Sequence, residues 1–174
     1  MKALTKIKSV IDKITEIICV IILAVMTILV SYQVFARFIL HSPSAITQTL
    51  SQYLFVWMIM FGSAYVFGVR EHLTIDLIRD KFSPRLEMII EILSNIVLAV
   101  FIILVCIYGG WNYTQGQAVQ IDPALLISKA ILYISQPVTG VITLYYCIYN
   151  SFLAVAKFKG TVEVAKDELG NSLV

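Results

Sequence analysis

Four long stretches without a charged side chain limit the folds open to this sequence more than any other feature. No Asp, Glu, Lys or Arg occurs in residues 17–36, 38–69, 92–121 or 130–156. A helix of roughly 20 apolar residues crosses the hydrocarbon core of a bilayer, so each stretch is long enough to span it. A soluble bundle would need a polar face on each helix, which these stretches do not offer. The sequence therefore predicts an all-α integral membrane protein with four transmembrane helices.

Prolines set the predicted ends of these helices. Pro43 ends the first span, because proline cannot continue a helix and forces the preceding residue into an extended conformation. Ser83-Pro84 and Asp122-Pro123 each place a capping side chain before a proline, a pattern typical of helix starts. The chain is predicted to form one membrane domain over residues 1–174, with spans at about 14–38, 45–69, 86–110 and 124–156 and a tail at 157–174.

The segment at residues 70–83 is too short and too charged to cross the membrane. On a helix, Leu73, Leu77, Ile78 and Phe82 would share one broad face, which predicts a short amphipathic helix lying in the membrane interface. A solvated connecting loop is the alternative. Cationic side chains near the interface can meet lipid phosphates, and the candidates for this role are Arg37, Arg70, His72, Arg79, Lys81 and Arg85.

The distribution of Lys and Arg predicts the orientation. Four lie before the first span, four lie between the second and third spans, and three lie in the tail. Only Arg37 and Lys129 lie on the opposite side. Because positively charged loops stay in the cytoplasm, both termini are predicted to be cytoplasmic. Tyr32, Tyr108 and Trp111 then fall at the outer interface, where aromatic side chains are common.

Residues that could carry chemistry are sparse. No ionisable group is expected in the middle of a span, where such groups are costly and usually functional. His41 and His72 fall on opposite sides of the membrane, so they cannot share a metal ion or haem. The three cysteines fall inside spans without metal-ligand spacing. We expect no catalytic residue, metal, cofactor or nucleic-acid partner.

Uncharged polar and small residues inside the spans indicate close packing. Trp57 lies away from the interfacial belt, and its indole N–H needs an acceptor from protein. Ala64 and Gly68 form a small-xxx-small pair that permits close helix contact, and Pro137 is expected to kink the fourth span. The candidates for helix packing or a partner interface are Trp57, Gly62, Ala64, Gly68 and Gln136.

Three stretches in order resemble a known family. They are VFARF at residues 34–38, YLFVW at 53–57 followed by GSA at 62–64, and GVREHLTID at 68–76. In this order they are similar to the small membrane subunit of tripartite ATP-independent periplasmic (TRAP) transporters. The family often has Trp followed by acidic residues at the start of the second helix. Here residues 46–49 read ITQT, which puts any role of that acid in doubt.

The resemblance implies a function that composition does not show. It implies a non-enzymatic accessory subunit of a sodium-driven symporter that imports an organic anion, either a carboxylate or an acidic sugar. Its expected partners are the large TRAP membrane subunit, which it would brace, a periplasmic substrate-binding protein, and membrane lipids. The expected location is the bacterial inner membrane. Two alternatives are a small membrane-anchor subunit of a redox or other membrane enzyme complex, and a homo-oligomeric channel.

Overall fold

The structure is a computed structural model that describes the backbone of residues 2–42, 44–69 and 84–158. Side chains are described for residues 5–42, 44–69 and 89–155. Within these ranges four helical segments are long and apolar enough to cross a membrane, which confirms the predicted four-span, all-α architecture. The predicted interfacial helix at 70–83 lies outside the described residues. The cytoplasmic location of the termini stays a prediction.

The first two spans are continuous helices. α1 covers Lys2–Phe38, so the helix begins before the predicted start of the first span at about residue 14, and α2 covers Ala45–Val69. The chain reverses between them, with His41 in the left-handed region at φ 49°. Ser44 starts α2 as a cap, because its Oγ accepts the backbone N–H of Thr47 at 3.5 Å.

The third span changes helix type partway along. α3 covers Pro84–Phe101, a π-helical stretch covers Ile102–Gly109, and α4 covers Gly110–Gln117. The helix therefore continues beyond the predicted end of the span near residue 110, and the point where the span leaves the bilayer stays a prediction. Gly109 and Gly110 keep helical backbone angles (φ −63° and −61°), so these glycines mark the return from π to α geometry and do not end the helix.

The predicted start of the fourth span at Asp122-Pro123 is also wrong. Residues 118–129 form a hairpin, and helical structure resumes only at Ala130. Asp122 does cap backbone groups, because its Oδ1 accepts N–H from Ala124 at 2.9 Å and from Leu125 at 3.2 Å. This bonding closes a turn instead of starting a helix, since Leu126 then takes a left-handed conformation at φ 55°.

The fourth span is divided into two helices. α5 covers Ala130–Tyr133, and α6 covers Ser135–Phe158. Pro137 has no N–H to donate to the preceding turn, and the chain breaks its regular helix at Ile134, just before this proline. Pro137 itself lies inside α6, and the kink predicted there stays a prediction.

α6 lies at the centre of the bundle. It packs against α2 on one flank and against α3 and the π-helical stretch on the other, while α1 packs mainly on α2. Small and polar side chains let neighbouring helices approach α6 closely. Its buried residues include Ser135, Thr139, Tyr146, Cys147, Asn150 and Ala154.

Candidate functional site

Most hydroxyl groups inside the spans are bonded within their own helix. Thr27, Ser63, Thr139 and Thr143 each donate to the carbonyl four residues earlier, at 2.7–2.9 Å. Such bonds satisfy a polar side chain in an apolar environment without joining two helices. The contacts that do join helices fall mainly in two groups, one near each end of the bundle.

The first group joins the N-terminal part of α1 to α6. The Tyr146 hydroxyl donates to Asp12 Oδ1 at 2.6 Å, and Lys8 Nζ lies 2.7 Å from Asp12 Oδ2. Tyr146 is completely buried, and Lys8 Nζ also lies 5.9 Å from its ring centroid. We call Lys8, Asp12, Gly68 and Tyr146 the terminal cluster. It combines a charge-assisted hydrogen bond with an ion pair. A hydrogen bond to a charged group is stronger than one between neutral groups.

Sequence reasoning singled out Gly68 but missed the other members of this cluster. Lys8 and Asp12 are four residues apart on one helix, which was a usable local signal for their ion pair. Tyr146 lies 134 residues from Asp12, and no sequence pattern connects the two.

Gly68 completes the terminal cluster from α2. A Cβ atom on Gly68 would lie only 2.5–2.8 Å from three ring atoms of Tyr146, so only glycine permits this approach. Ala64 lies one turn earlier and is also buried. Gly62 differs, because a Cβ atom there would meet nothing within 4 Å. Gly68 thus lies at a helix–helix contact, whereas Gly62 borders open space in this chain.

The second group joins α1, α2, the hairpin and α5. Gln33 Nε2 donates to Ser51 Oγ at 2.6 Å and to the Thr47 carbonyl at 2.9 Å. The Tyr53 hydroxyl donates to Asp122 Oδ2 at 3.5 Å. These contacts tie the start of α2 to α1 and to the hairpin. Sequence reasoning did not single out Gln33, and it placed Tyr53 in the YLFVW stretch at 53–57 without giving it a contact.

Trp57 joins α2 to α5. Its indole N–H donates to the Ile131 carbonyl at 3.0 Å, and its ring lies 5.7 Å from that of Phe61. The indole N–H of Trp57 thus has a protein acceptor, which a tryptophan away from the membrane interface needs. A role for Trp57 in an interface with another subunit stays a prediction.

Gln136 contacts the π-helical stretch. Its Nε2 donates to the Val105 carbonyl at 3.4 Å, and its side chain lies 3.2 Å from the Cβ position of Gly110. This side chain therefore joins α6 to the third span at the point where the third span returns to α geometry.

Of the predicted headgroup residues, Arg37 has a described side chain. It is exposed at the end of α1, with its guanidinium carbon 5.9 Å from the ring centroid of Phe38. Arg70, His72, Arg79 and Lys81 lie outside the described residues, as does the side chain of Arg85. Their contacts with lipid headgroups stay predictions.

Among residues with described side chains, no three of His, Cys, Asp and Glu come together as a metal site. Cys19, Cys106 and Cys147 are free thiols on three different helical segments. The polar side chains described above bond to one another or to the backbone. This arrangement holds four helices in fixed relative positions.

Comparison of the sequence with known proteins identifies a matching family. The family model described as "Tripartite ATP-independent periplasmic transporters, DctQ component" matches residues 26–157. Two putative TRAP transporter small permease proteins from Haemophilus influenzae are similar. One is 27% identical over 132 residues (76% of this chain, 81% of the relative), and the other is 28% identical over 145 residues (83% and 87%). The sialic acid TRAP transporter small permease protein SiaQ of Vibrio cholerae is 26% identical over 144 residues, covering 82% of each chain.

Proposed function

Because this chain belongs to the DctQ component family of tripartite ATP-independent periplasmic transporters, we propose that it braces the large membrane subunit of such a transporter. The family is a transport component and not an enzyme. Membership also makes the chain a multi-pass membrane protein, in agreement with its four apolar helices. Membership of a transport family does not support the alternative of an anchor subunit for a redox enzyme.

The internal use of polar groups supports the bracing role. The interhelical bonds of Asp12, Gln33 and Trp57 are made within this chain, so they stiffen its own bundle. A stiff bundle with a large outer surface can enlarge the static part of a transporter whose other part moves. Among the four spans in the described part of the chain, α1 is the least buried, with only 6% of its most apolar stretch buried. It offers the most surface to lipid or to a second membrane subunit.

The proposed cargo is an organic anion, either a carboxylate or an acidic sugar. A relative of similar length is named for sialic acid, which supports the acidic-sugar class. The proposed driving force is a sodium gradient, and the proposed third component is a periplasmic substrate-binding protein. The solute need not touch this chain, since the transport site belongs to the large subunit in this proposal.

Reconstitution tests the proposal directly. The large subunit is placed in vesicles with and without this chain, the binding protein is added outside, and uptake of radiolabelled sialic acid or succinate is measured under a sodium gradient. We expect uptake only with both membrane subunits and with sodium. Full uptake by the large subunit alone would contradict the bracing role. Uptake that persists when choline replaces sodium would contradict the driving force.

The proposed location is the bacterial inner membrane with both termini in the cytoplasm. The excess of Lys and Arg at the termini supports this orientation. Fusing green fluorescent protein or alkaline phosphatase to the C-terminus tests it. We expect fluorescence without phosphatase activity, and the reverse result would invert the topology.

A further inference from the structure

α1 packs on the rest of the bundle along one narrow stripe. Buried or half-buried side chains recur on it every seven residues, at Lys8, Thr15, Ile22, Leu29 and Ala36. A seven-residue repeat is the spacing of helices that lie side by side over their whole length. The opposite side of α1 is exposed throughout residues 5–38.

A second stripe with the same repeat runs along this exposed side, and it is apolar. We call it the outer stripe, and its members are Ile7, Val10, Ile14, Ile17, Ile21 and Ile28, with exposed fractions of 47–69%. Successive members are three, four or seven residues apart, so they share one face of the helix. Ala24 lies on the same face between Ile21 and Ile28 and is also exposed. Its small side chain would let another helix come close.

The first turns of α1 keep their polar side chains away from the outer stripe. The exposed polar residues there are Thr5, Lys6, Ser9, Lys13 and Glu16, and they lie on a separate face. Lys8 and Asp12 pair with each other on the packing side. The exposed surface is thus divided into a polar face, which suits water, and an apolar face, which water does not suit.

Lipid tails do not reach the N-terminal members of the outer stripe. Residues 17–36 carry no charge, and these 20 residues already cover about 30 Å of hydrocarbon. Ile7 lies ten residues before Ile17, or about 15 Å further along the helix. The headgroup layer on one side of a bilayer is only about 5–8 Å thick. Because α1 is one continuous helix from Lys2, it cannot turn to lie in the interface, and Ile7 and Val10 extend past the headgroups.

Lipid headgroups do not cover these two side chains either. Four lysines lie at this end of the chain, at positions 2, 6, 8 and 13, and lysines near the interface can meet lipid phosphates. A phosphate, however, offers no apolar surface to Ile7 or Val10.

Other parts of this chain do not match the outer stripe. Residues 70–83 and 159–174 each carry several charges, so neither segment can follow the stripe into the bilayer. A single helix of another protein can cover the whole stripe if it crosses the membrane and continues beyond it beside the first turns of α1. A soluble binding protein cannot, since most of the stripe lies at the depth of the hydrocarbon.

We propose that the outer stripe binds a transmembrane helix of the large membrane subunit. The inference rests on the proposed function. Lys6 and Lys13 each precede a stripe residue and border the stripe, and the one ion pair in the described part of the chain is that of Lys8 with Asp12. The partner helix should therefore carry Asp or Glu where it leaves the bilayer, because charges beside an apolar seam select the partner. A second copy of this chain would bring lysines to the same border, so it fits less well.

Two substitutions and one matched control test this site in the full complex. Ile7→Gln and Val10→Gln each replace an apolar stripe residue with a good helix former, so α1 should stay intact. Ser9→Gln places the same side chain on the polar face between them. Affinity for the large subunit is measured in detergent, with the melting temperature of the isolated chain as a check on folding.

We expect Ile7→Gln and Val10→Gln each to weaken binding on the order of tenfold with unchanged melting temperature. Ser9→Gln should bind as the wild type does. Unchanged affinity of both stripe variants would overturn the assignment. A wild-type chain that does not bind the large subunit would instead overturn the proposed function.

Cross-linking in vesicles identifies the occupant. A photo-reactive benzoylphenylalanine at position 10 or 21 should cross-link to the large subunit, whereas one at position 9 or 23, exposed but off the stripe, should not. Cross-links of positions 10 and 21 only to lipid, to a second copy of this chain or to another segment of the same chain would overturn the proposal.

Discussion

α1 and α6 are both long apolar helices, yet they occupy opposite environments. In the most apolar stretch of each span, 6% of residues are buried in α1 and 33% in the span that contains α6. α1 is nevertheless the more apolar of the two. In a bilayer, therefore, the more apolar helix is the outer one, because lipid accepts it as readily as protein does. Small and polar side chains, and not high hydrophobicity, distinguish the helix that packs against its neighbours.

The contact between Gly68 and Tyr146 gives one of the two largest predicted effects. Gly68→Ala places a methyl group within 2.8 Å of a fully buried ring, and the overpacking should cost about 1–3 kcal/mol of stability. The melting temperature in detergent, followed by size-exclusion chromatography, measures it. Gly62→Ala is the control, because the added methyl meets open space. Equal melting temperatures for the two variants would show that α2 does not press against α6.

The Asp12–Tyr146 bond joins the exposed helix to the central one. Tyr146→Phe removes the donor to a charged carboxylate and should cost about 1.5–3 kcal/mol. Asp12→Asn should give a similar loss, and the double variant should lose little more than either alone. Glu16→Gln on the exposed face of α1 is the control and should be neutral. Additive losses in this double-mutant cycle would show that the two side chains do not interact.

Trp57 should show a smaller effect at the other end of the bundle. Trp57→Phe removes the N–H that donates to the Ile131 carbonyl and should cost about 1 kcal/mol. Trp111→Phe replaces an exposed indole near the predicted interface and should change the melting temperature less. If both variants melt alike, the bond between α2 and α5 adds nothing to stability.

The exposed side of α1 should show the smallest effect. Ile28→Ala removes apolar surface that lipid or detergent covers in both the folded and unfolded chain, so stability should change by less than about 0.5 kcal/mol. Chemical unfolding of the isolated chain in detergent micelles measures this change. A loss as large as that of Gly68→Ala would mean that α1 packs as α6 does.

The sequence predicts the spans well because a bilayer demands long uncharged helices, and no charge interrupts residues 17–36 or 130–156. It also points to Gly68 and Trp57, since close helix contact and a buried N–H each have a specific residue requirement. The sequence does not show which residues far apart in the chain contact each other. No residue near Asp12 in the sequence indicates that its partner is Tyr146. The Asp122 side chain can cap backbone N–H groups at the start of a helix or in a turn, so the sequence does not distinguish the two.

The π-helical stretch at Ile102–Gly109 has a further consequence, for the rotational phase of the third span. An α-helix turns about 100° per residue, and a π-helix fits more residues into each turn. The stretch therefore offsets the faces of α4 from those of α3. If the same eight residues took α geometry, Trp111 and Tyr113 would turn to a different face of the span relative to Asn95. The contact of Tyr113 with Tyr133 would then be lost without any change in composition. In this helix the type of helical turn, as much as the identity of the residues, decides which neighbours meet.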